Sequence, residues 1–184
     1  MVFILSILTS FLVNIEGGTL SSDCVLTISS EQSQSLSYPG SFVMNGDKFR
    51  FVMMGYEAVY DGSTLYFYSD DTQELTLSNP TKDELQQLNP LLFAKALMTA
   101  SRVEEKKAND GKHIITLYPD NLAAGITKLV LTLEKDGKKP VSVEVKEVNQ
   151  TSRLVFLHPT LTSDTTPNTS FVLDKPSAFL NDLR

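Results

Sequence analysis

The apolar positions of this chain change their period at Gly17-Gly18. Before that pair, Ile4, Leu5, Leu8, Phe11, Leu12 and Ile15 recur at helical spacing, with Ser6, Thr9, Ser10 and Asn14 on the opposite face. The spacing predicts an amphipathic helix over about 3–16, stopped where glycine takes the left-handed conformation of a helix end. This run is shorter than the roughly 20 apolar residues that a bilayer span needs. It also reads as the hydrophobic region of a secretory leader, although no cationic start precedes it and no small-residue cleavage site follows.

Beyond Leu20 the period falls to two. Runs at Leu20–Ser29, Ser41–Met44, Lys48–Met54, Tyr56–Tyr60, Thr64–Tyr68 and Glu74–Ser78 are separated by turn residues, of which Asn45-Gly46-Asp47 and Asp61-Gly62 are strong hairpin signals. Glu31–Gln34 reads as a polar turn. A helical stretch interrupts the strands over about 82–100, opening on Thr81 with Glu84 three residues later as a capping box. Its stripe of Leu85, Leu88, Leu92 and Ala96 is crossed by Pro90, so a break into two short helices is expected at Asn89-Pro90.

Strands then resume from Val103–Lys107 to Arg153–Leu161, through hairpin turns at Asn109-Asp110-Gly111 and Asp136-Gly137. Val141, Val143 and Val145 alternate with Ser142, Glu144 and Lys146, the pattern of a strand with one buried face. A last strand is expected at Phe171–Leu173, and a short C-terminal helix over about 177–183 with Ser177 as its cap. The sum is a mainly β chain of α+β type. One sheet of roughly nine to eleven strands is too large to stay flat, and should curl into an incomplete antiparallel barrel under its helices.

Composition narrows the function more than the fold. The 184 residues suit a single domain over 1–184, and 41% hydrophobic with 21% charged residues is ordinary for a globular chain. A net charge of −6 argues against a nucleic-acid partner, since such binding relies on Lys and Arg against phosphate. One Cys and two His allow neither a disulfide framework nor a multi-ligand zinc site. Nucleophile elbows, zinc-protease helices and phosphate-binding glycine loops are missing from the sequence, so no catalytic residue, metal or cofactor is expected. His113 and His158 read as structural, and Cys24 as a core residue. Asn149-Gln150-Thr151 and Asn168-Thr169-Ser170 match the glycosylation sequon, a pattern common by chance.

The informative strand is Lys48–Met54. Phe49, Phe51 and Met53 share one face and Arg50, Val52 and Met54 the other. A curled sheet under Leu- and Phe-rich helices encloses either a packed core or an apolar pocket, and periodicity leaves both open.

The order of motifs resembles a known family. "GDKFRF", "YDGSTLYFYSDDTQELTLSNP", "NPLLFAKAL" and "FVLDKPSAFLNDLR" are similar to the periplasmic outer-membrane lipoprotein carriers of the LolA family, in particular the LolA-like proteins of Bacteroidetes-type bacteria. The most specific pieces are Tyr60-Asp61-Gly62, Asn89-Pro90 and Asp182-Leu183-Arg184, and the resemblance runs from about Gly18 to Arg184. It implies a half-barrel with a helical lid over a hydrophobic cavity. It also implies a shuttle that takes triacylated lipoproteins from an inner-membrane ABC transporter, shields their acyl chains and passes them to the outer membrane or an acceptor there. The expected location is therefore the periplasm, with any export signal absent or removed, and the expected state is a monomer.

On this resemblance Phe49 matches the family's cavity phenylalanine, followed by Phe51 and Met53. Leu65 and Phe67 of the next strands and Leu88, Leu92, Phe93 and Leu97 of the inserted helices complete the expected acyl cavity. Leu5, Leu8, Phe11 and Leu12 form the lid face of the first helix. One departure stands out: family members carry Arg-Pro before the phenylalanine strand, the arginine tying the lid closed, where this chain has Asn45-Gly46. The alternative reading is a non-catalytic lipid- or fatty-acid-binding or sensor module on the same scaffold. A small hydrolase is a third, for which no nucleophile and base pair is visible in sequence.

Overall fold

Alternation decides which side each strand buries, and here it does so on both faces of one sheet. The computed structural model describes residues 4–30, 33–98, 101–120, 125–163 and 168–184, with side chains from residue 7 onward apart from 87, 90, 168 and 169. Helix α1 (Ile4–Glu16) leads into β1 (Thr19–Ser30), β2 (Ser33–Asn45), β3 (Lys48–Met53), β4 (Tyr56–Tyr60), β5 (Leu65–Ser69) and β6 (Glu74–Ser78). Helices α2 (Lys82–Leu88) and α3 (Pro90–Leu97) follow, then β7 (Ser101–Lys107), β8 (His113–Pro119), β9 (Ile126–Leu133), β10 (Pro140–Glu147) and β11 (Gln150–Thr162). A 3-10 turn (Asn168–Phe171) precedes β12 (Phe179–Asp182).

All twelve strands form one sheet in the order β12-β6-β5-β4-β3-β2-β1-β11-β10-β9-β8-β7. β7 and β12 are its two edges, so the barrel is incomplete. The strand count exceeds the expected nine to eleven, with β12 at the C-terminus completing the twelve. β2 starts at Ser33, well before Ser41, and pairs with β1 from Thr19–Asn45 to Ser30–Ser33. Ser33 and Gln34 of the expected turn at Glu31–Gln34 belong to β2, and Glu31 and Gln32 lie outside the described residues.

Two further expectations are corrected at the C-terminus. Phe171–Leu173 is no strand: Phe171 ends the 3-10 turn, and Val172 and Leu173 are irregular. The helix expected over 177–183 is instead β12, running parallel to β6 with Phe179 opposite Glu74 and Asp182 opposite Leu77. Seven residues make a marginal helix, whereas the open edge of β6 offers a row of unpaired N–H and C=O groups. The remaining pairings are antiparallel.

The concave face holds the main core. Leu20, Cys24, Phe42, Met44, Phe49, Leu117, Leu129, Leu131 and Leu154 are buried there together with Leu8, Phe11, Leu12 and Ile15 of α1. Each fully buried Leu or Phe contributes about 1.5–3 kcal/mol, so this cluster dominates stability. A second core lies on the convex face, where Val59, Tyr68, Leu75 and Leu77 are covered by Phe171 and Leu173 of the C-terminal segment. Lys175 fastens that segment: its Nζ lies 3.1 Å from Glu57 Oε2 and 4.3 Å from the Tyr68 ring centroid. Glu57 also pairs with Arg50 of β3.

Turn chemistry sets the register. Met54 and Gly55 both have positive φ, 58° and 77°, the mirror-image geometry that suits a two-residue hairpin between β3 and β4. Gly40 answers a different demand, since a Cβ there would fall 2.4 Å from the Val52 carbonyl oxygen across the β2–β3 pair.

Candidate functional site

The site is built where α2 and α3 cross the concave face. Thr81 caps α2 reciprocally: its Oγ1 accepts from the Glu84 N–H at 3.3 Å, and Glu84 Oε2 accepts from the Thr81 N–H at 2.7 Å. Two hydrogen bonds to Thr81 hold the exposed Glu84 carboxyl below its usual range. Asn89, fully buried, ends α2 and starts α3. Its N–H donates to the Leu85 carbonyl, and its Oδ1 accepts from the N–H groups of Leu91 (3.0 Å) and Leu92 (3.3 Å). With Pro90 at the first position of α3, the break falls where the sequence places it.

Beneath this helix pair lies a half-open cavity of about 710 Å³. Its apolar walls are Leu26 of β1, Phe51 of β3, Leu88 and Phe93 of the helices, Ile126 of β9, Val143 and Val145 of β10, and Leu154 of β11. Asp83, Gln86, Glu147 and Ser152 add polar groups. The pairings place Ile126, Glu147 and Ser152 at one end of the sheet, because Glu147 pairs with Ile126 and Ser152 with Val145. α1 occupies the opposite end, near the turns at Gly46 and Gly137, where a Cβ would meet the Glu16 carbonyl oxygen and the Ile7 side chain respectively.

The structure separates the expected cavity residues into groups. Phe51, Leu88 and Phe93 line the cavity. Phe49, Met53 and Leu65 are buried in the core, with Phe49 against the Tyr60 ring at 5.9 Å. Phe67, Leu92 and Leu97 are partly buried against that core, and Phe67 stacks on Tyr56 at 5.3 Å. Of the lid residues, Leu8, Phe11 and Leu12 are buried on the concave side, and the Leu5 side chain lies outside the described residues. Leu26, Val143, Val145 and Leu154 carry no motif signal, although the alternation of β10 already marks Val143 and Val145 as inward-facing.

Among the described residues no ion pair joins an arginine to the helices. Asn45 Nδ2 donates to Thr19 Oγ1 at 2.9 Å, which fixes the strand ends of β1 and β2. α1 meets α3 through an ion pair between Glu16 and Lys95. Cys24 sits in the core floor at 1% exposure, where burial, aided by the Asp23 charge, pushes its thiol up to about 11. Among the described residues no three metal-ligating side chains cluster, and no helix is long and apolar enough to cross a membrane.

The sequence profile of the family described as "Outer membrane lipoprotein carrier protein LolA" matches residues 28–173. No curated protein sequence matches the chain. Among solved structures, an uncharacterized conserved protein from Thermus thermophilus superposes with a TM-score of 0.65 at 11% identity, covering 96% of this chain and 97% of its own. A LolA superfamily protein from Nitrosomonas europaea gives a TM-score of 0.47 at 11% identity, covering 92% and 97%. The lipoprotein LppX of Mycobacterium tuberculosis gives 0.43 at 14% identity, covering 83% and 92%. The Thermus likeness shows a shared fold over nearly the full length of both chains.

Proposed function

Because this chain belongs to the LolA family of outer membrane lipoprotein carriers, we propose that it holds the acyl chains of lipoproteins in the half-barrel cavity and shuttles them across the periplasm. It acts by binding, not by catalysis. On this reading its partners are triacylated lipoproteins, an inner-membrane ABC transporter that loads it and an outer-membrane acceptor.

One observation carries the proposal: a cavity of about 710 Å³ whose walls are aliphatic and aromatic side chains. That size lies within the range of roughly 300–1,000 Å³ typical of ligand pockets. Each methylene moved from water into such walls contributes about 0.8 kcal/mol, close to what a bilayer offers. A cavity of this kind competes with a membrane without holding its cargo irreversibly.

The test is titration of a triacylated lipopeptide into the protein, followed by displacement of a fluorescent apolar probe. Val145→Glu and Phe51→Glu each place a charge in the wall and should abolish displacement while leaving the folded circular-dichroism spectrum intact. Transfer of the loaded lipopeptide to acceptor vesicles would extend binding to carriage. Equal binding of lipopeptide and free fatty acid would favour a general lipid-binding module, and binding unaffected by either glutamate would overturn the cavity reading.

A further inference from the structure

The polar groups of the cavity are not randomly signed. Among the described lining residues the charged ones are Asp83 and Glu147, and no lysine or arginine joins them. Neither carboxylate is held in an ion pair or a side-chain hydrogen bond among the described residues. Strand alternation explains the sign. Glu147 continues the inward series of Val143 and Val145, whereas Lys146 pairs with Lys128 on the outward series of β10 and β9. Lys146 and Lys128 are therefore turned to the convex face together with Glu144, and Glu147 to the concave one.

We propose that Asp83 and Glu147 select cargo by the charge of its head, admitting acyl chains with an uncharged or cationic head and disfavouring those that end in a carboxylate or phosphate. This rests on the acyl-binding reading above. An apolar chain lodged against Leu26, Phe51 and Leu154 leaves its head toward the polar end marked by Glu147 and Ser152. The apolar walls beside the half-buried Glu147 strengthen its field relative to open water, and the exposed Asp83 adds a weaker, salt-screened contribution of the same sign. Acyl groups esterified to a neutral glycerol thioether escape the repulsion. A free fatty acid or an anionic phospholipid meets it.

The experiment compares three single-chain ligands of equal length, all below their micelle concentrations: hexadecanoic acid, hexadecanoyl glycerol and hexadecyltrimethylammonium. Each affinity is expressed relative to the glycerol ester, at low and at physiological salt. In the native protein the acid should bind roughly threefold to tenfold more weakly than the ester and the cation at least as tightly, with the contrast shrinking as salt rises. The double variant Asp83→Asn/Glu147→Gln should bring the three ratios together. Glu134→Gln/Asp136→Asn, which removes the same charge at the β9–β10 hairpin on the far end of the sheet, should retain the native ratios.

Ratios equal in native protein and Asp83→Asn/Glu147→Gln would overturn the selection while leaving acyl binding in place. Failure of all three ligands to displace the probe from the native protein would overturn both.

Discussion

Asn89 reaches across from the helix pair to the sheet: its Nδ2 donates to the Met44 sulfur at 3.5 Å, while its Oδ1 caps α3. One buried amide thus ends one helix, starts the next and fixes both to β2. Asn89→Ala removes the cap and leaves two N–H groups of α3 without an acceptor. The expected loss is about 2–3 kcal/mol of unfolding free energy. Asn89→Ser, which restores an acceptor, should recover part of it. Urea melts with an unchanged slope would measure both, and a loss below about 0.5 kcal/mol for Asn89→Ala would sink the assignment.

The attachment of α1 has an ionic part, to α3, and an apolar part, in the concave core, and their magnitudes differ. The Glu16 and Lys95 side chains are 43% and 46% exposed, so their attraction is screened by water and is worth about 0–1 kcal/mol. Phe11 is 0% exposed in the concave core, and Phe11→Ala should cost about 3–5 kcal/mol. A double-mutant cycle on Glu16→Gln and Lys95→Met should give a coupling that disappears in high salt. A coupling above about 2 kcal/mol would instead make the ion pair the latch of the helix layer.

Cys24 should be chemically silent in the folded chain. Its thiol is buried and pushed up to about 11, so the reactive thiolate is scarce at neutral pH. Modification by an aromatic disulfide reagent at pH 8 should be slow in buffer and fast in urea. Rapid stoichiometric labelling of the native protein would show that the floor of the half-barrel opens readily.

The C-terminal strand should loosen in acid. Hydrogen bonds from the Arg184 side chain and its backbone N–H hold the exposed Asp182 carboxyl down to about 2, against an ordinary 3.8. A depressed folded value means that this contribution is present above the ordinary carboxylate range and is lost as pH falls through about 2. Amide exchange at Phe179–Asp182 should therefore quicken below pH 4 relative to β4, and Asp182→Asn should remove that pH dependence. Identical acid profiles for native and variant protein would count against it.

Local chemistry was legible in the sequence, and long-range contact was not. Gly46 and Gly137 mark hairpin turns, and Asn89-Pro90 marks the helix break, because each signal acts on its own backbone. The fate of Phe179–Asp182 depends on whether the edge of β6 lies within reach, a fact no window of seven residues contains. The cavity divides in the same way. Alternation shows that Phe49, Phe51, Val143 and Val145 face inward, but only the placement of α2 and α3 decides which of them stay uncovered. Phe49 is consequently filled over by core while Phe51 is left at the cavity wall.

The placement of α1 gives the pocket a direction. α1 packs into the concave core at the end of the half-barrel near Gly46, and the polar residues Glu147 and Ser152 stand at the other end. Under the proposed function a hydrocarbon tail goes in methyl first and its linkage to the cargo stays at the threshold. Release then runs in reverse, linkage leading and methyl trailing. A receiving surface must take hold of the head before the tail is free, so delivery becomes a hand-to-hand exchange in which no bare acyl chain is ever shown to water.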